Sequence, residues 1–157
     1  MLFRSVKARR AAIGKSQPSA QLSSLRAALS FLIIAPMSTK VFHYEGCSTC
    51  KKARAWLTAH KVEFTLVPIV ESPPSKKELT QLIERSGKDA KKWINTSGGS
   101  YRAVVESEGK EAVLAWSKDE LIARLAKDGK MIKRPVVVTD SHVLVGFDEA
   151  AYAAAFE

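Results

Sequence analysis

Cys47 and Cys50 are the only cysteines in the chain, and Ser48 and Thr49 are all that separates them. A C-x-x-C pair reads as redox chemistry when it lies where a strand hands over to a helix. Lys40-Val41-Phe42-His43-Tyr44 is a short β-prone run ended by Gly46. Residues 49–60 follow as a helix, with Ala53, Trp56 and Leu57 on one apolar face. A thiolate at Cys47 then faces the unpaired N–H groups of the helix start and the positive end of its dipole. Lys51, Lys52 and Arg54 add positive charge nearby. Such settings lower a cysteine pKa from ~8.5 into roughly 3.5–7.5. Cys50, one turn further in, is placed to attack an adduct formed at Cys47, and the i, i+3 spacing suits a reversible disulfide.

Two other uses of the pair compete. Zinc wants four protein ligands, but the chain has no second cysteine pair, and His43, His60 and His142 have no ligand spacing; no metal is expected. The other alternative is two inert, reduced thiols. A second element bears on the choice. Lys133-Arg134-Pro135 stands immediately before Val136-Val137-Val138. Arg134 is a permanent cation with a planar fork, suited to a thiolate or a tetrahedral oxyanion. Proline is tolerated at the start of a strand, and X-Pro is where cis peptides occur. Arg-Pro before a strand is by itself commonplace.

The elements around these residues can be read in order. Val62–Val67 alternates only partly, as a strand buried on both faces would. Glu71-Ser72-Pro73-Pro74 breaks the chain, and Ser75-Lys76-Lys77-Glu78 is a capping box. Leu79, Leu82 and Ile83 then form a buried face that ends at Ser86-Gly87. A short helix around Trp93 and a loop over Thr96–Ser100 come next. A second capping box, Ser117 to Glu120, opens a helix with Leu121, Ile122 and Leu125 inward, stopped at Gly129. Val136–Val138 and Val143–Val145 flank Asp140-Ser141 as a β-hairpin. A helix over 148–156 follows, and there is no internal repeat. The order β-α-β, helices, β-β-α predicts an α/β, thioredoxin-like fold with a helical insertion between its halves. A generic α/β sandwich is the alternative.

Composition narrows the class. The chain has 157 residues, 46% of them hydrophobic, with 8 Gly and 6 Pro, which suits one folded domain and excludes collagen-like or Pro-rich repeats. Two cysteines cannot staple a disulfide-dense secreted scaffold, and no run reaches the ~18 apolar residues of a spanning helix. The net charge of +9 is uneven: six basic and no acidic residues lie in 1–36. Without them, 19 basic residues face 16 acidic ones, a net +3, so neither direct nucleic-acid binding nor membrane association is expected. Residues 1–36 read as a leader outside the fold: an upstream extension with the natural start at Met37, a targeting peptide, or a functional tail. Residues 37–157 form the domain. A cysteine pair that cycles needs a reducing compartment, so a cytoplasmic location is expected.

Taken together these residues resemble the ArsC/Spx family, in its C-x-x-C branch. The stretches that carry the likeness are Tyr44–Leu57, Glu71–Gly87, Trp93–Gly98, Ile132–Val138 and Val145–Phe147. The resemblance implies a nucleophilic thiol at Cys47, Arg134 as the cation on the thiolate, and a cis Pro135; Cys50 is the resolving thiol by its place one turn into the helix. It also implies a substrate-binding role for Ser48, Thr49, Lys91 and Pro135. Arsenate reductases of the family attack arsenate with this cysteine, and glutathione with glutaredoxin releases arsenite. No bound cofactor is implied, and glutathione/glutaredoxin or thioredoxin would donate electrons. Those enzymes typically carry one loop cysteine and three arginines. Here Cys50 is added, Lys91 stands roughly where a second arginine belongs, and Glu120 stands near the third. The pair also resembles the Spx and MgsR regulators, whose disulfide switch governs binding to RNA polymerase. A small oxyanion or disulfide substrate with a reducing thiol protein, or RNA polymerase, are the corresponding partners.

Overall fold

The computed structural model describes residues 38–156; the leader and its start at Met37 lie outside them. The elements are β1 (Thr39–His43), α1 (Ser48–Ala59), β2 (Phe64–Pro68), α2 (Lys76–Ser86), α3 (Gly99–Glu108), α4 (Lys110–Leu114), α5 (Lys118–Lys127), β3 (Val136–Val138), β4 (Val143–Val145) and α6 (Glu149–Phe156). Two 3₁₀ turns, Ala90–Trp93 and Gly129–Met131, join the insertion to its surroundings.

The strands form one sheet in the order β2-β1-β3-β4. β1 and β2 are parallel, as a β-α-β crossover requires, while β1–β3 and β3–β4 are antiparallel. Side chains alternate across a strand, and this sorts the core into two layers. Val41 and Val137 point to one face, where Ala53, Trp56 and Leu57 of α1 and Tyr152 of α6 cover them. Phe42, Val136, Val143 and Val145 point to the other, against Leu79, Leu82 and Ile83 of α2, Leu121, Ile122 and Leu125 of α5, and Trp93. The result is a thioredoxin-like sheet with helices on both faces and the insertion packed on one of them.

Both capping serines do what their sequence suggests. Ser75 Oγ and Ser117 Oγ each accept from the N–H three residues on, at 3.2 Å, and Gly87 closes α2 in the left-handed region at φ 63°. Two readings are corrected. The strand read at 62–67 starts at Phe64 and is an edge strand, half-buried with Thr65 exposed, because only β1 flanks it. The loop read over Thr96–Ser100 stops short, since α3 begins at Gly99. α3 and α4 were not separable by pattern because α3 buries no residue fully and α4 only Val113. Gly129 is more than a stop signal: a Cβ there would lie 1.9 Å from the Ile69 carbonyl oxygen.

Candidate active site

β1 runs out at His43, and Tyr44–Gly46 turn the chain into α1. Cys47 sits at the N-cap in extended conformation, φ −96° and ψ 115°. Its N–H donates to the Tyr44 carbonyl at 3.1 Å, and its carbonyl accepts from Lys51 N–H at 3.2 Å. The loop and the first turn therefore hold the residue by its backbone and set the sulfur at the start of α1, without a full capping hydrogen bond.

Cys47 is half-buried, whereas Cys50 is 1% exposed, and both are free thiols. Their environments pull them apart. Partial burial alone would raise the Cys47 pKa. It is outweighed by the N–H and thiol of Cys50, the Arg134 guanidinium and the N–H of Thr49, so the thiol lies below its ordinary value. Burial dominates at Cys50 and, with the neighbouring Cys47 sulfur, pushes its thiol up to about 12, although the Tyr44 N–H and Arg134 oppose this. One sulfur is prepared as an anion and the other is stored as a protonated thiol.

Arg134 comes from the start of β3, the strand that pairs with β1. It precedes a cis Arg134–Pro135 peptide. The Pro135 carbonyl accepts from Gly146 N–H at 2.8 Å, which locks the segment to the hairpin end. Lys133 N–H donates to the Trp93 carbonyl at 2.7 Å, and Ile132 bridges Ile94. The insertion thus fixes the backbone that delivers the cation. The guanidinium lies over the Tyr44 ring, 4.9 Å from its centroid, and its Nη1 is buried without a hydrogen-bond partner.

Of the residues singled out in the sequence, Cys47, Cys50, Thr49 and Arg134 act on one another, and Pro135 is adjacent to Arg134. Ser48 lies exposed in the first turn of α1. Lys91 is exposed, and its ammonium donates to the Leu114 carbonyl at 2.8 Å; Arg134 is the charged side chain that lowers Cys47. The cations flanking the pair in sequence do not converge on it: Lys51 and Lys52 are exposed, and Arg54 pairs with Glu45 at 3.3 Å. Sequence reasoning gave no role to Tyr44, whose ring, carbonyl and N–H each meet a part of the site. Nor did it single out His43, buried with Nδ1 3.5 Å from Glu45 Oε1. The signal for both was their place at the end of β1, one turn ahead of the cysteine. Two clefts of about 420 and 460 Å³ open around Lys40, Arg85 and Val138, at the opposite end of β1. Neither is lined by a cysteine or Arg134, so the thiol chemistry is not housed in them.

Comparison with known proteins follows the same residues. The sequence model of the ArsC family matches residues 42–155. The uncharacterized protein YusI of Bacillus subtilis is 46% identical over 113 residues, covering 72% of this chain and 93% of YusI. The global transcriptional regulator Spx of Streptococcus pyogenes is 30% identical over 109 residues, covering 69% of this chain and 78% of Spx. A crystal structure of an ArsC family related protein from Bacteroides fragilis superposes with a TM-score of 0.71 at 38% identity, covering 78% of this chain and 99% of that one.

Proposed function

The chain belongs to the ArsC family, and on that premise we propose that it is a thiol-dependent oxidoreductase with Cys47 as nucleophile and Cys50 as resolving thiol. The observation that carries this reading is the opposite tuning of two neighbouring sulfurs, one half-buried and lowered, the other fully buried and raised. A lowered thiolate attacks at neutral pH, and a buried, protonated neighbour does not compete with it.

The chemistry balances with the two thiols as the electron source. With a disulfide substrate, the Cys47 thiolate attacks one sulfur, forms a mixed disulfide and expels the other half as a thiolate. Cys50 then loses its proton and attacks the Cys47 sulfur. The bonding pair leaves with the second half of the substrate, which takes up a proton, and Cys47–Cys50 is left as the disulfide. With arsenate, Cys47 adds to arsenic(V) with loss of water. Attack by Cys50 on the Cys47 sulfur releases arsenic(III) with the bonding pair. Either way glutathione with glutaredoxin, or thioredoxin, restores the two thiols in a reducing cytoplasm. Ser48 and Thr49 open α1 directly after Cys47, and the first-turn N–H groups favour an anion there. A single arginine on the thiol supports a singly charged or neutral substrate better than a highly charged oxyanion.

A second reading has its own support. The relatives include transcriptional regulators named Spx, and this chain carries the C-x-x-C that the regulators' switch uses. In that reading the Cys47–Cys50 disulfide alters a surface that binds RNA polymerase. Turnover separates the two. Purified protein is supplied with arsenate, glutathione and glutaredoxin, and in parallel with a small disulfide and thioredoxin. Catalytic loss of reductant that disappears in Cys47→Ser supports the enzyme. Stoichiometric oxidation without turnover, together with disulfide-dependent capture of RNA polymerase, supports the regulator.

A further inference from the structure

Tyr44, three residues ahead of Cys47, meets every part of the site. Its carbonyl accepts from the Cys47 N–H at 3.1 Å, and its ring lies under the Arg134 guanidinium, 4.9 Å from centroid to Cζ. The ring is itself packed against the loop: a Cβ at Gly46 would lie 2.9 Å from Tyr44 Cε1 and 3.4 Å from Cζ. Arg134 is held in an unusual way. Its Nη1 is buried with no hydrogen-bond partner, and none of the ion pairs among the described residues involves it. A carboxylate partner would satisfy the guanidinium but also neutralise it and draw it off the sulfur. An aromatic face attracts the cation without cancelling its charge, and does so more strongly where water is excluded.

We propose that Tyr44 is a positioning residue for the thiol chemistry: its ring holds the Arg134 guanidinium beside Cys47 and leaves that charge free for the sulfur. The ring also has work in the oxidised state. Once Cys47 is in a disulfide there is no anion to hold Arg134, and the aromatic face keeps the cation in place for the next thiolate. This rests on the reading of Cys47 as nucleophile and Arg134 as its cation. The other titratable groups around the loop are Cys50, Glu45 (held by Arg54 and 3.5 Å from His43 Nδ1), His43 itself and Lys133, whose stem crosses Gly146.

The test is the pH profile of Cys47 alkylation by iodoacetamide in the full chain. It compares wild type, Tyr44→Phe, Tyr44→Leu, Arg134→Ala and the Tyr44→Leu/Arg134→Ala pair, with Cys47→Ser as blank and His43→Asn as a control that removes the neighbouring imidazole. Tyr44→Phe keeps the wild-type midpoint, because the ring face remains. Tyr44→Leu raises it by about half a unit to one unit. Arg134→Ala raises it at least as far, and the pair rises no further than Arg134→Ala alone. Should Tyr44→Leu not fold, Tyr44→Met takes its place. An unchanged midpoint in Tyr44→Leu beside a raised one in Arg134→Ala overturns the proposal and leaves the thiolate reading standing. So does a further rise when Tyr44→Leu is added to Arg134→Ala, or a raised midpoint in Tyr44→Phe. An unchanged midpoint in Arg134→Ala overturns the reading of Arg134 itself.

Discussion

At neutral pH a single addition of iodoacetamide should mark Cys47 and spare Cys50, and the size of that preference follows from the two environments. Cys50 is raised from 9.0 to about 12, so its thiolate fraction at pH 7 falls about a thousandfold below that of an ordinary thiol. Cys47 is lowered, so its fraction lies above the ordinary one. The intrinsic reactivity of a thiolate moves the other way, with a Brønsted slope of about 0.4–0.5, which returns roughly thirtyfold to the more basic sulfur. The net preference is therefore at least about thirtyfold before access is considered. Access widens it, since Cys50 is 1% exposed. The pH dependence has a definite sign. A thiol with depressed pKa stays ionised as pH falls until its own pKa is passed, so the Cys47 rate has its midpoint below that of an ordinary thiol. The Cys50 rate climbs about tenfold per pH unit over the whole ordinary thiol range. Peptide mapping by mass spectrometry after short pulses, in wild type and in Cys47→Ser and Cys50→Ser, measures both. Cys47→Ser removes one of the causes that raise Cys50, so Cys50 should react faster there than in wild type, yet remain well behind Cys47. Equal rates at pH 7, or a Cys50 rate that levels off below pH 9, would refute the assignment of nucleophile and resolving thiol.

Cys50→Ser should still form the first adduct with a disulfide probe but hold it as a stable mixed disulfide, visible as added mass until an external thiol is supplied. Gly129→Ala should destabilise by more than the roughly 1–3 kcal/mol typical of overpacking. The atoms a Cβ would meet, Ile69 O at 1.9 Å and Ile69 C at 2.7 Å, are backbone that cannot swing aside; a urea midpoint at unchanged slope reads the loss. Ser75→Ala should cost about 1 kcal/mol by removing the acceptor that caps α2, with alkylation of Cys47 unchanged. Trp93→Ala should cost about 3–5 kcal/mol from a fully buried site. The Trp93 carbonyl that holds Lys133 N–H at 2.7 Å is backbone and remains in the variant, so Cys47 alkylation should change little while the protein stays folded.

What the sequence by itself determined was everything that local chemistry and short periods can encode. The C-x-x-C lies at a strand-to-helix junction because a β-prone run meets Gly46 and then an apolar i, i+3, i+4 face. The two capping boxes, the Gly87 stop and the hairpin strands at Val136–Val138 and Val143–Val145 were legible for the same reason: each is satisfied by neighbours a few residues away. Helices α3 and α4 left little trace because they bury few residues, and a thin apolar face has no readable period. The sequence offered several cations for the thiol, Arg134 among them, and the fold chose between them. Lys51 and Lys52 are nearest in sequence, yet they point to solvent, and the cation that acts on Cys47 is Arg134, brought across by the pairing of β1 with β3. That pairing joins residues about a hundred positions apart, and no local preference encodes it. The tertiary structure decided how far each cysteine is covered, Cys47 half-buried and Cys50 1% exposed, because burial depends on what packs over Cys50, not on Cys50 itself. The same holds for Tyr44: its contact with Arg134 exists only where two distant segments are held edge to edge by a common sheet.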